Sequence, residues 1–238
     1  MKADVLILDY SVDRSETDLV RKYVPSGDRV TSIFVDSDDS FHPGLLSAGY
    51  THVIHTGSSL SITVPAPFTE TALSLCRAFA ENGVAQMGIC YGHQLICLAF
   101  CGEYSVRRCP DGLEAGWNFV EFLDRGPVIP GVRGTEKVWQ SHFDEVVELP
   151  HDADVIATNG HSRIQAFCSN RLRLFGTQFH PEFDREDGNA QFLHDRDLLE
   201  ANGLDVDVIL SDGPTVDTGR VFIGFFLDHF RGNGEGTP

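Results

Sequence analysis

A cysteine framed by glycines constrains the fold of this chain more than any other feature. Residues 84–102 read VAQMGICYGHQLICLAFCG, so that an apolar run ends at Gly88, Cys90 lies between Gly88 and Gly92, and a mostly apolar segment follows. This pattern predicts a strand, a tight turn and a helix, with the turn lifting a reactive side chain above the end of a parallel sheet. A helix N-terminus behind the sulfur favours the thiolate form. A lone cysteine is more often a packing residue, but this frame makes Cys90 a candidate nucleophile.

Short apolar runs elsewhere indicate the fold around that turn. Three of them precede it, at residues 4–10, 29–36 and 51–59, and the segments 15–23 and 68–82 have the pattern of helices. Strands that alternate with helices predict an α/β fold with a mostly parallel central sheet and helices on both faces. Dense turn residues and short alternating runs between residues 107 and 155, with further runs up to Phe183, predict antiparallel strands added at one edge.

The remainder of the chain is interpreted as an addition to this domain. Residues 1–183 are predicted to form the domain, and residues 184–238 a C-terminal helical extension packed on it. The extension contains a polar helical segment over 184–202, a short apolar run over 206–210 and a phenylalanine-rich stretch over 220–230. The glycine-rich end from Gly232 is expected to be disordered.

A histidine and a glutamate provide the base that a cysteine nucleophile needs. His180 and Glu182 are separated by one residue at the end of the last predicted strand, so both side chains point the same way if the strand persists to that point. A carboxylate beside an imidazole fixes its tautomer and stabilises the imidazolium. Cys90, His180 and Glu182 therefore form a candidate triad with sulfur in place of oxygen.

Composition excludes several classes of partner and location. The 238 residues carry a net charge of −17, which disfavours binding to nucleic acid and to anionic membranes. No apolar run is long enough for a membrane span and no secretory leader is found, so we expect a cytoplasmic protein. The acidic excess, with lysine only at Lys2, Lys22 and Lys137, also favours adaptation to high salt. The six cysteines lack the spacing of a disulfide framework or zinc knuckles, and neither a metal nor a cofactor is expected.

Several motifs together resemble one family. Residues 88–94, GICYGHQ, look like the nucleophile motif of the class I glutamine amidotransferases, and residues 176–182, GTQFHPE, look like their base motif. Residues 139–144, WQSHFD, and residues 114–117, EAGW, are similar to segments of the glutaminase domain of GMP synthases and its stand-alone relatives. The resemblance covers residues 4–183 and keeps the family's motif order, and it implies the flavodoxin-like α/β fold of that family.

The resemblance implies hydrolysis of the glutamine side-chain amide to glutamate and ammonia. Cys90 would attack the amide carbon while His180, oriented by Glu182, accepts its proton, and a γ-glutamyl thioester would form and then be cleaved by water. In this family the ammonia passes to an acceptor enzyme, so a synthetase partner subunit is implied, and the acceptor itself stays unidentified.

The resemblance also implies a set of supporting residues. The oxyanion would be held by the backbone N–H of Tyr91 and by that of Gly57 or Ser58 on a neighbouring loop. Gln94 matches a position that helps to hold glutamine, although a solvated side chain in the first helical turn is the alternative. The segment that grips the amino-acid end of the substrate is matched by Ser141, His142 and Phe143, of which His142 is expected to be structural rather than catalytic.

Two departures from the family keep other functions open. The oxyanion loop reads Gly57-Ser58-Ser59 where two consecutive glycines are common, and nothing resembles the pyrophosphatase loop of GMP synthases or a P-loop. Both departures fit a γ-glutamyl peptidase or hydrolase that uses the same triad. A non-catalytic regulatory module on this fold is the third hypothesis.

Overall fold

The sheet predicted from the sequence is present in the computed structural model, which describes residues 2–42, 44–132 and 134–232. Within these ranges nine strands form one sheet in the order β2-β1-β3-β4-β11-β10-β9-β6-β7, and β5 pairs with β8 in a separate ribbon. The strands are β1 (Asp4–Asp9), β2 (Arg29–Phe34), β3 (His52–His55), β4 (Ala85–Ile89), β5 (Val106–Arg108), β6 (Glu114–Phe122), β7 (Thr135–His142), β8 (Asp144–Val146), β9 (Asp154–Thr158), β10 (Ala166–Ser169) and β11 (Leu174–Thr177).

Strand direction divides this sheet into two parts. From β2 to β11 all neighbouring strands are parallel, whereas β10, β9, β6 and β7 are added with antiparallel pairing. The prediction of a parallel sheet with antiparallel strands at one edge is therefore confirmed. The division places the carboxyl ends of β1, β3, β4 and β11 along one rim, where α/β sheets carry their binding sites.

Helices cover both faces of the sheet because alternate residues of the buried strands point to opposite sides. Val5 of β1 belongs to one hydrophobic core together with Phe226 near the C-terminus. The next residue, Leu6, belongs to the other core with Phe79 and Leu95. The helices are α1 (Glu16–Arg21), α2 (Thr69–Glu81), α3 (Tyr91–Cys101), α4 (Arg185–His194), α5 (Arg196–Ala201), α6 (Val206–Leu210) and α7 (Gly224–His229). None of the helices in the described ranges has the length and apolar character needed to cross a bilayer.

Two helix predictions after residue 183 differ from the structure in extent. The segment 184–202 is two helices rather than one, because α4 ends at His194 and Asp195 leaves the helical backbone before α5 begins. The phenylalanine-rich stretch begins with a π-helical turn over Gly219–Ile223 before α7 continues it. At that turn a β-carbon on Gly219 would lie 2.3 Å from the Tyr23 ring, so the tyrosine occupies the space of a side chain. The disorder predicted beyond Gly232 concerns residues 233–238, which lie outside the described residues.

The C-terminal helices pack behind the rim that carries the motifs named above. Gly188 of α4 lies against two tryptophans, and its carbonyl accepts a hydrogen bond from Trp139 Nε1 at 3.1 Å. Trp117 Nε1 donates to Asn189 Oδ1 at 2.9 Å. Thr218 Oγ1 donates to the carbonyl of Pro181 at 2.8 Å. These contacts connect the C-terminal part of the chain to Trp117, Trp139 and the segment around Pro181.

Candidate active site

The turn at Cys90 has the strained geometry of a nucleophile elbow. Cys90 follows β4 and precedes α3 with φ 46° and ψ −99°, a backbone conformation that is unfavourable for a residue with a side chain. The flanking glycines are needed for close approach. A β-carbon on Gly88 would lie 2.4 Å from the carbonyl of Gly92, and one on Gly92 would lie 2.2 Å from the carbonyl oxygen of His55. The glycine frame therefore lets β4, the turn and β3 pack closely beneath the sulfur.

His180 and Glu182 meet as predicted, although the strand that was expected to carry them is shorter. β11 ends at Thr177, so the prediction of a strand up to Phe183 is wrong. Beyond that end, His180 N–H donates to the carbonyl of Trp139 at 3.0 Å in an isolated bridge to β7. His180 Nδ1 lies 2.5 Å from Glu182 Oε1. The bridge to β7, rather than a continuous strand, thus orients the pair.

Burial and the neighbouring Cys90 thiol affect the pKa values of this pair. Burial alone would lower the pKa of His180, but the charge of a Cys90 thiolate and its hydrogen bond to the imidazole outweigh that effect and raise the pKa. Nδ1 faces Glu182, so Nε2 is the nitrogen left to accept the thiol proton. Complete burial raises the pKa of Glu182 to about 7, and the neighbouring Glu16 opposes that rise. The imidazole is thus placed to exchange a proton with a thiol while it pairs with a carboxylate.

A chain of amides surrounds the sulfur on its other side. Gln178 Nε2 donates to Cys90 Sγ at 3.6 Å, and Gln94 Nε2 donates to Gln178 Oε1 at 3.1 Å. Gln94 Nε2 also donates to the carbonyl of Asp144 at 2.9 Å. Gln94 is buried, so the solvated alternative is excluded. Its amide ties α3 to the turn between β7 and β8.

The end of β7 and the turn that follows it contain the three residues predicted to hold the amino-acid end of glutamine. His142 is buried, with Nε2 at 3.0 Å from Glu114 Oε2 and Nδ1 at 3.1 Å from the carbonyl of Asp144. Phe143 packs under the Arg108 guanidinium at 3.9 Å, and Ser141 is partly exposed. The contacts of His142 support the turn and involve no group of the candidate triad.

A second polar cluster surrounds Glu114 and stabilises this turn. Burial would raise the pKa of Glu114, but hydrogen bonds and the charges of His142 and His161 lower it. Asn159 donates to its Oε1 at 2.6 Å and Gln165 to its Oε2 at 2.9 Å. Glu114, His142 and His161 have ligand atoms close enough for a metal ion, yet these contacts already satisfy the carboxylate with protein donors. We therefore interpret the cluster as structural.

The candidate oxyanion donors lie next to the triad. Tyr91 is the first residue of α3, so its N–H is at the helix N-terminus directly after Cys90. Gly57 packs against the imidazole, since a β-carbon there would lie 2.5 Å from His180 Cε1. Ser58 is partly exposed, and its hydroxyl accepts a hydrogen bond from Leu60 N–H at 3.1 Å. Gly57 is therefore the loop residue in contact with the base.

Three residues near the triad escaped the sequence reasoning. Gln178 lies within the quoted base motif two positions before His180, and its shared face with the base was the signal that could have identified it. Trp139 contacts the His180 ring edge-on, with 4.9 Å between ring centroids. Glu16 carried no local signal, because only the packing of α1 against the rim places its carboxyl group near Glu182.

The chain belongs to the class I glutamine amidotransferase family. The model of that family, "Glutamine amidotransferase class-I", matches residues 36–198. Solved structures agree in fold: a glutamine amidotransferase from Thermotoga maritima gives a TM-score of 0.77 at 19% identity over 97% of this chain and 98% of its own. A glutamine amidotransferase from Methylobacillus flagellatus gives 0.77 at 18% identity over the full length of both chains. At these identities the likeness shows the fold alone.

Curated relatives are GMP synthases and their subunits. The chain is 35% identical over 132 residues to the glutamine-hydrolysing GMP synthase of Clostridium novyi, covering 56% of this chain and 24% of that one. It is 37% identical over 99 residues to one subunit of the glutamine-hydrolysing GMP synthase of Sulfolobus acidocaldarius, covering 42% of this chain and 51% of that one. The matched region therefore spans about a quarter to a half of these relatives.

Proposed function

We propose that this chain hydrolyses the side-chain amide of glutamine through Cys90, His180 and Glu182. The observation that carries the proposal is the meeting of an elbow cysteine with a buried imidazole–carboxylate pair at one rim of the sheet. A packing cysteine needs neither a strained backbone nor a base.

The geometry supports a two-step reaction. His180 accepts the Cys90 proton while the sulfur bonds to the amide carbon, and the resulting oxyanion is held by Tyr91 N–H and Gly57 N–H. His180 then transfers the proton to the departing nitrogen, so that ammonia leaves and a γ-glutamyl thioester remains. Water, deprotonated by His180, breaks the carbon–sulfur bond, giving glutamate and the thiol. Glu182 accepts from Nδ1 throughout and stabilises the imidazolium in both steps.

The amides around the sulfur have distinct roles in this proposal. Both Nε2 hydrogens of Gln94 are used by Gln178 and by the Asp144 carbonyl, so its carbonyl oxygen is the atom that remains for a substrate contact. Gln178 contacts the sulfur itself and limits where it can move. The segment Ser141, His142 and Phe143 is followed directly by Asp144, whose carbonyl Gln94 binds, and this supports a role for the segment at the amino-acid end of glutamine.

We further propose that the ammonia is used by a synthetase partner whose identity stays open. Relatives that are named as single subunits of a GMP synthase support a partnership of this type. In the same proposal residues 1–183 form the glutaminase unit, and the helices after residue 183 brace it through Trp139 and Pro181.

Steady-state kinetics test the substrate. We expect kcat/KM for glutamine to exceed that for γ-glutamyl dipeptides by orders of magnitude and Cys90→Ala to abolish turnover. A preference for the dipeptides would instead indicate a γ-glutamyl hydrolase, a function that the Gly57-Ser58-Ser59 loop also fits. Full turnover by Cys90→Ala would contradict both enzymatic functions, and binding of glutamine without turnover or thioester formation would indicate a regulatory module.

A further inference from the structure

A third buried carboxyl group lies beside the triad. Glu16 is 7% exposed, and its carboxylate, the His180 ring and Glu182 each offer an atom within 4.8 Å of the others. It comes from α1, a helix that no motif associates with the reaction. Two carboxylates and one imidazole thus share a space from which water is largely excluded.

The chain fixes Glu16 in this position with a separate carboxylate. Asp9, at the end of β1, accepts from the Thr17 N–H at 2.9 Å and from Thr17 Oγ1 at 2.7 Å. The other oxygen of Asp9 accepts from Ser11 Oγ at 2.5 Å, and Glu16 N–H donates to the same hydroxyl at 3.4 Å. Glu16 and Thr17, at the start of α1, are therefore hydrogen bonded to groups at the end of β1 and just after it.

The unpartnered oxygens of the two glutamates indicate a proton between them. Oε2 of Glu16 and Oε2 of Glu182 are both buried without a hydrogen-bond partner among the described residues. The two carboxyl groups have oxygen atoms within 4.8 Å of each other, and two buried carboxyl groups this close avoid mutual repulsion when one of them carries a proton. Burial and the charge of Glu182 both raise the pKa of Glu16, which identifies it as the protonated member.

We propose that Glu16 is a positioning residue that stays protonated and donates a hydrogen bond to Glu182, keeping Glu182 ionised against His180. This inference rests on the triad of the proposed function. An ionised Glu16 would add a second buried negative charge, whereas a neutral donor stabilises the charge that the imidazolium needs.

The other charged and titratable groups around Glu16 and Glu182 do not neutralise the carboxyl group of Glu16. Around Glu16 and Glu182 these groups are Asp9 on β1, Tyr23 after α1, Cys90 at the elbow and His180. Among them only His180 supplies a positive charge, and it already pairs with Glu182 at 2.5 Å. A proton on Glu16 is therefore the simplest way to neutralise that group.

The test is the pH dependence of Cys90 alkylation by iodoacetamide, quantified at that residue by peptide mass spectrometry. The thiolate forms as a pair with the imidazolium, which an ionised Glu182 stabilises. In Glu16→Leu the donor is lost, so we expect the alkylation midpoint to move up by about one pH unit. In Glu16→Gln the amide N–H replaces the donor, so the midpoint should stay much closer to that of the parent protein.

Matched variants and a second readout complete the experiment. Asp18 is an exposed carboxylate on the same helix, so Asp18→Leu and Asp18→Asn should leave the midpoint in place. Equal shifts in Glu16→Gln and Glu16→Leu would show an ionised Glu16 and overturn the proposal, as would no shift in Glu16→Leu. If Glu16→Leu fails to fold, the infrared carboxylic-acid C=O band decides: it should disappear in Glu16→Gln, and an unchanged spectrum would overturn the proposal.

The alkylation readout needs no glutamine. A protein that shows the Glu16→Leu shift but hydrolyses no glutamine would support this inference and contradict the proposed function. The opposite result, hydrolysis without the shift, would contradict only the inference.

Discussion

The proposed triad depends on individual side chains whose protonation is affected by burial. Burial raises the pKa of Glu182 to about 7, so its ionised form is lost as the pH falls through that value. Only the ionised form accepts strongly from His180 Nδ1 and stabilises the imidazolium. We therefore expect kcat/KM for glutamine to fall on the acid side with a midpoint near that pH. A profile that stays constant well below it would contradict this role of Glu182.

Gly57 provides a second prediction at the scale of single residues. A β-carbon there would lie 2.5 Å from His180 Cε1, so Gly57→Ala should displace the imidazole from the sulfur. Because a displacement of about 1 Å at a catalytic group can cost ~100-fold, we expect kcat/KM to fall by about that factor with little change in thermal stability. Gly160→Ala is the control, since Gly160 is exposed and a β-carbon there would have no atom within 4 Å. Activity in Gly57→Ala equal to that of Gly160→Ala would contradict the contact.

At the scale of elements, the helix after the base motif supports the base through Trp139. Trp139 stacks on Phe183 and Phe192 with ring centroids 4.4 and 4.8 Å apart, and its edge contacts His180. Gly188 of α4 approaches the same ring, where a β-carbon would lie 2.6 Å from Trp139 Cδ1. The position of α4 therefore determines that of Trp139 and, through it, that of the imidazole.

Alanine at Gly188 tests this packing. Alanine in a helix is normally better than glycine by about 1 kcal/mol, but here overpacking against the tryptophan should destabilise the fold by ~1–3 kcal/mol. Gly224 begins α7 with no atom near its missing β-carbon, so Gly224→Ala should be neutral or stabilising. Denaturant unfolding measures both free energies. Equal effects of the two substitutions would contradict the packing argument.

Elements also show how far the sequence could predict the structure. The elbow and the pair His180–Glu182 were predictable, because each depends on residues close together in the chain. The length of β11 was not predictable, because the segment after Thr177 is held by Trp139 on another strand. Glu16 and Gly188 reach the site only through tertiary packing, so a single sequence without that packing carries no signal for either.

For the whole molecule, the charge of −17 on 238 residues dominates the dependence on salt. Most ion pairs of the described residues have an exposed partner, as in Arg171 with Asp152 and Arg196 with Asp207, and such pairs add little stability. Repulsion among the excess carboxylates therefore affects stability more than the exposed ion pairs do, and salt screens this repulsion. We expect the thermal midpoint to rise between low and molar salt. A midpoint that stays constant or falls would contradict adaptation to high salt.

The central claim is that Cys90 is the nucleophile of a glutamine-binding site. The most direct measurement is covalent labelling with a glutamine-like electrophile, followed by peptide mass spectrometry of all six cysteines. We predict modification at Cys90, protection by excess glutamine, and loss of labelling in His180→Ala. Labelling of another cysteine such as Cys109 with Cys90 unmodified, or labelling of Cys90 that glutamine does not slow, would contradict it.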